Sequence, residues 1–107
     1  MKLNLALAQI SAKLGDVESN LDKHLHYIDQ AKKQKADLLV FPELSLTGYV
    51  LQDLVASVAH KPTEDDPVFK HLLQTSRDLD LVVGFVDEDS RHRFFIASAY
   101  LSGGRLL

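Results

Sequence analysis

The sequence predicts an α/β fold, of mixed α+β character, around a sheet that is at least partly parallel. Three observations carry this. Short apolar runs of strand length stand at Leu3–Leu7, Asp37–Phe41, Leu81–Val86 and Phe94–Leu101. Stretches with helical spacing separate the early runs, and helical crossovers between strands bring those strands together in parallel. The chain has 107 residues, 46% hydrophobic and 25% charged, which suits one globular unit with a modest core.

The elements follow in order. Leu3, Leu5 and Leu7 alternate with Asn4, Ala6 and Ala8, so this strand has one face more apolar than the other. Gly15-Asp16 punctuates the chain. Asp16 is a good N-cap and Glu18 falls in the first turn. Val17, Leu21, Leu25, Ile28 and Ala31 then recur at helical spacing, predicting an amphipathic helix from Val17 to about Lys35. Asp37-Leu38-Leu39-Val40-Phe41 lacks alternation, as a strand covered on both faces would. Pro42 ends it because proline cannot donate to a ladder.

Thr47-Gly48 marks a turn, and Leu51 to Ala59 suits a short helix. Lys61 to Asp66 reads as a polar loop. Asp66 caps a helix with Pro67 at its first position and Val68, Phe69, Leu72 and Leu73 as its apolar stripe. Leu81–Val86 is a buried strand, Asp87–Arg91 a polar turn, and Phe94–Leu101 a further strand. Gly103-Gly104 signals a two-residue hairpin whose returning strand begins at Arg105. Only Arg105, Leu106 and Leu107 follow, so the expectation is a strand cut short.

Composition narrows the function. The net charge of -3 argues against nucleic acid as partner, since no basic stripe is present. Lys32, Lys33 and Lys35 fall at the end of the first helix, where cations complement the helix dipole. There is no cysteine, hence no disulfide and no thiol chemistry within these residues. No apolar run is long enough to span a bilayer, and the apolar start lacks a cleavage site, so the expected location is the cytoplasm. His24 and His26 are two apart on a helix and face different ways, and His60, His71 and His92 are scattered, so no metal site is expected.

One stretch points to chemistry: Phe41-Pro42-Glu43-Leu44-Ser45-Leu46-Thr47-Gly48-Tyr49. It sets a carboxylate directly after a buried strand, where open α/β sheets carry catalytic groups. Partial burial there would fit Glu43 for general-base work. A surface glutamate, or one paired with a lysine, is the alternative. This stretch resembles the first signature of the nitrilase superfamily. Ala6-Leu7-Ala8-Gln9, Gly15-Asp16 and Asn20 resemble the opening of that family, and Ala36 to Val40 resembles its lead into the first catalytic residue. Asp53-Leu54, Val82-Val83-Gly84-Phe85 and the aromatic strand ending in Ser98-Ala99 fit in the same order.

The resemblance implies a four-layer α-β-β-α sandwich of which residues 1–107 are a partial, N-terminal domain. It implies a Glu–Lys–Cys triad acting on a small amide or nitrile, without cofactor, in a protein that forms homo-oligomers. Glu43 matches the glutamate, which acts as base on the cysteine thiol; the thiolate forms a thioester, the lysine stabilises the oxyanion, and water releases the acid. The expectation is that the chain stops before the lysine and the cysteine, so the fragment alone is inactive. Tyr49 resembles a residue near the family's pocket, although a tyrosine after a turn also serves packing. Ala97 departs from the asparagine that often precedes Ser-Ala in the family. The alternatives are the glutaminase portion of an NAD synthetase, which the stretch from Gly48 to Leu54 also resembles, and a non-catalytic truncated module. A receiver-like domain fits poorly, because Pro42-Glu43 stands where a phosphorylatable aspartate is needed.

Overall fold

The structure, a computed structural model, describes residues 3–48, 59, 62–63, 65–88, 90–91 and 93–107. Helix α1 spans Val17–Lys33. The Asp16 carboxylate accepts from the Ser19 N–H at 3.0 Å and Glu18 lies in the first turn, both favourable at the positive end of the helix dipole. At the other end Lys33 pairs with Asp29 at 3.1 Å. Lys35 sits at φ 59°, and the Ala36 N–H donates back to the Ala31 carbonyl at 3.0 Å, closing the last turn.

The buried line of α1 differs from the expected one. Asn20, His24, Ile28 and Ala31 are its buried residues, while Leu21 and Leu25 flank them half-buried. Two polar groups therefore occupy the most enclosed positions of an otherwise apolar stripe. Helix α2, Pro67–Thr75, starts as the sequence predicts: the Asp66 carboxylate accepts from the Val68 and Phe69 N–H groups at 2.9 and 3.3 Å. Phe69 meets Phe85 edge to face at 4.8 Å.

Five strands form one sheet in the order β1 (Leu5–Leu7), β2 (Leu38–Val40), β3 (Asp80–Glu88), β4 (Phe94–Ser102) and β5 (Arg105–Leu106). β1, β2 and β3 run parallel, whereas β3–β4 and β4–β5 are antiparallel. The fold is thus mixed α/β, as predicted. Gly103 and Gly104, at φ 59° and 81°, make the hairpin turn that sets Ser102 opposite Arg105. Asp87 and Glu88, expected in a turn, extend β3 instead, because they pair with Phe95 and Phe94 and lengthen the ladder. The short helix expected from Leu51 to Ala59 falls on residues 51–58, outside those described.

Both helices cover the same face of the sheet. Leu39, Leu81, Val83, Phe85, Ala99 and Leu101 join Ile28, Ala31, Phe69 and Leu72 in a single buried cluster. Ala6 of β1, and Ala8 just after it, pack against that cluster, while Leu5 and Leu7 are 55% and 74% exposed. The more apolar face that the sequence predicts for this strand is thus the one turned away from the cluster. The leucines join the opposite face of the sheet. Register puts Val40, Val82 and Tyr100 on that face with Leu7, and Ile96 beside Val86.

Candidate functional site

The carboxyl end of β2 runs straight into a turn that leans on β3. The Phe41 N–H still donates to the Val82 carbonyl at 2.9 Å, then Pro42 ends the ladder. Residues 43–47 turn back. Leu44, at φ 51°, is the pivot, and its carbonyl accepts from the N–H groups of Thr47 and Gly48 at 3.2 and 2.7 Å. A leucine in the left-handed region is strained, a cost tolerated where surroundings over-determine the backbone. Leu44, Ser45, Leu46 and Thr47 are all buried, so the turn is anchored by nearly every side chain that follows Glu43.

Three neighbours fix it. The first is β3: the Leu46 N–H donates to the Gly84 carbonyl at 3.0 Å, and the Gly84 N–H donates to Ser45 Oγ at 3.1 Å. A Cβ on residue 84 would fall 2.5 Å from the Leu44 nitrogen and 2.7 Å from the Pro42 oxygen, so only glycine admits this approach. The second is Asn20. Its Nδ2 donates to the carbonyls of Leu46 (2.9 Å) and Lys13 (2.8 Å), and its Oδ1 accepts from the Lys13 N–H at 2.6 Å. One buried amide thereby ties the segment before α1 to the turn, and the Gly15 N–H adds a bond to the Thr47 carbonyl at 2.8 Å.

The third is His24. Its Nδ1 lies 2.6 Å from the Asn20 carbonyl and its Nε2 lies 2.8 Å from Ser45 Oγ. A carbonyl only accepts, so Nδ1 carries the proton and Nε2 accepts from the serine. The ring stacks on Phe41 with centroids 4.1 Å apart. Burial pushes the imidazole down to about 4, against the smaller opposing effect of its bond to Asn20, so it is neutral at physiological pH.

Glu43 itself is exposed, at the rim of a concavity of about 360 Å³. Ile10, Ala12 and Leu14 form one wall, and Pro42, Leu44, Ser45 and Gly48 the other. Glu43 is the ionisable group among these lining residues, facing mostly apolar walls. Of the two readings open for Glu43, partial burial and surface exposure, the structure shows exposure: its backbone packs close against Gly84 of β3, the four side chains after it are buried, and its own is exposed. The arrangement offers a carboxylate on a rigid mount, which is what a general base requires of its scaffold.

Tyr49 lies outside the described residues. Ala97 pairs with Phe85 in the ladder and packs against the core. His24 is buried and His26 exposed, so the two diverge on α1. The roles of Asn20 and His24 in holding the turn are not apparent from the sequence. The available signal was a pair of polar residues four apart within the apolar stripe of a helix.

Comparison with known proteins adds an independent line. The family described as carbon-nitrogen hydrolase matches residues 4–102. A glutamine-dependent NAD(+) synthetase of Acinetobacter baylyi is 33% identical over 105 residues, covering 96% of this chain and 19% of the relative. The structure of such a synthetase from Acinetobacter baumannii superposes with a TM-score of 0.78 at 32% identity, over 100% of this chain and 20% of that one. An amidase from Nesterenkonia sp. gives a TM-score of 0.81 at 27% identity, over 98% of this chain and 40% of that one. The chain thus spans about a fifth of the length of the two synthetases.

Proposed function

Because this chain belongs to the carbon–nitrogen hydrolase family, we propose that its protein hydrolyses the carbon–nitrogen bond of a small amide or nitrile, with Glu43 as the general base. The observation that carries this reading is the Glu43 turn: a carboxylate held at the carboxyl end of a parallel strand, at the mouth of an apolar concavity. In the proposed reaction Glu43 takes the proton of a cysteine thiol and the thiolate adds to the substrate carbon. For an amide, the carbon–nitrogen bond then breaks, the nitrogen leaves protonated as ammonia, and water cleaves the resulting thioester to the acid. Residues 1–107 contain no cysteine, so the thiol comes from another part of the full-length protein, together with the cationic group that meets the oxyanion.

The relatives favour a second, narrower reading. The proteins of Acinetobacter baylyi and Aquifex aeolicus, 33% and 40% identical, are both glutamine-dependent NAD(+) synthetases. On this reading the amide is the side chain of glutamine, and the ammonia released serves a synthetase. The experiment is ammonia release by the full-length protein from glutamine, from a simple aliphatic primary amide and from an aliphatic nitrile, with residues 1–107 alone as the blank. Release from the amide or nitrile supports hydrolysis in general, and release from glutamine alone supports the narrower reading. Failure of a folded full-length protein on all three would overturn both, as would true turnover by residues 1–107.

A further inference from the structure

We propose that His24 is a positioning residue for the reaction: through the Ser45 hydroxyl it fixes the turn that presents Glu43. This rests on the reading of Glu43 as the base. His24 is fully buried in α1, yet its ring makes two hydrogen bonds of defined direction, from Nδ1–H to the Asn20 carbonyl at 2.6 Å and into Nε2 from Ser45 Oγ at 2.8 Å. The Asn20 carbonyl dictates the tautomer, and the tautomer dictates which way the serine hydroxyl donates. Ser45 Oγ is then left to accept from the Gly84 N–H at 3.1 Å. The result is one directed chain, from Gly84 of β3 through Ser45 to His24 and on to Asn20, crossing beneath the turn two residues after Glu43.

A core filled for stability alone would place an aliphatic side chain at position 24, in line with Ile28 and Ala31. A buried imidazole with every ring nitrogen bonded specifies one geometry of the turn. The neutral state that the chain requires is the one burial favours. A general base displaced by about 1 Å loses catalysis while the binding of substrate is little changed, so the effect belongs to kcat.

The test uses the full-length protein and follows ammonia release. Ser45→Ala and His24→Phe, the latter keeping the stack on Phe41, are each expected to lower kcat at least tenfold with KM within about twofold. The double variant is expected to be no slower than the slower single one, since both break the same chain. Glu43→Gln is the reference. Independently of turnover, long-range ¹H–¹⁵N spectra of the His24 ring should show a proton on Nδ1 and none on Nε2 at pH 7. A proton on Nε2, full kcat in both single variants while Glu43→Gln is inactive, or single effects that multiply in the double variant would each overturn the proposal. An unchanged rate in Glu43→Gln would overturn the reading of Glu43 itself, and the tautomer would still report on the chain of hydrogen bonds.

Discussion

At the scale of single residues, the polar groups sealed under the Glu43 turn have thermodynamic consequences as well as geometric ones. His24 is held down to about 4 when folded and titrates near 6.5 when unfolded. Below pH 6.5 the unfolded chain takes up a proton that the folded one refuses, so stability is full above pH 6.5 and falls as the pH drops towards 4. The interval corresponds to about 3 kcal/mol. Denaturant unfolding at pH 7, 5.5 and 4.5 should show this decline in the wild type and a shallower one in His24→Phe. The difference between the two isolates the histidine from every other group that titrates over the range. Parallel declines in both proteins would mean that His24 accepts a proton in the folded state.

At the scale of elements, the site is the turn after β2 packed on β3, and Gly84 is where that turn's backbone presses on the strand. An alanine there would push its methyl into the backbone of Leu44 and Pro42. Backbone cannot move aside as a side-chain tip does, so Gly84→Ala should cost about 1–3 kcal/mol, the usual range for overpacking. A thermal midpoint within a degree of wild type would show that the turn has slack. The elements were legible in the sequence where local signals were strong. Asp16 and Asp66 announced both helices, and Gly103-Gly104 announced the last hairpin. What local signals could not supply was which face of an element turns inward. β1 turns Ala6, and Ala8 just after it, half-buried towards the core and leaves Leu5 and Leu7 outside, a choice set by contacts distant in sequence. The same holds for α1, where the sequence pattern favoured Leu21 and Leu25 over Asn20 and His24. Glu43 was found from its motif, and the sequence left partial burial and surface exposure both open, since the choice depends on the turn's inward anchoring.

At the scale of the whole molecule, the sheet has a helical face and, among the described residues, a face that no helix covers. Leu5, Leu7, Ile96, Phe94 and Tyr100 stand on the side turned away from both helices, between 37% and 74% exposed. β1 and β5 are open edges of three and two residues. Apolar area of this kind marks a surface that meets other protein, and open edges can pair with another strand. In a four-layer sandwich the second sheet would cover this face. Residues 1–107 expressed alone should therefore associate: sedimentation velocity over a hundredfold range of concentration should show the average mass rising above that of the monomer. A monomer throughout, with a cooperative melt, would mean that this face is compatible with water as it stands.

The central claim, that this chain supplies the general base of a carbon–nitrogen hydrolase, is tested most directly by the kcat of Glu43→Gln in the full-length protein. The substitution keeps the size of the side chain and removes its ability to take a proton. Loss of a general base typically lowers rates by about 10²–10⁴-fold, and that is the expected fall, with circular dichroism and thermal midpoint unchanged. A Glu43→Gln enzyme that releases ammonia at the wild-type rate would contradict the claim and leave Glu43 as a surface residue on a well-anchored turn.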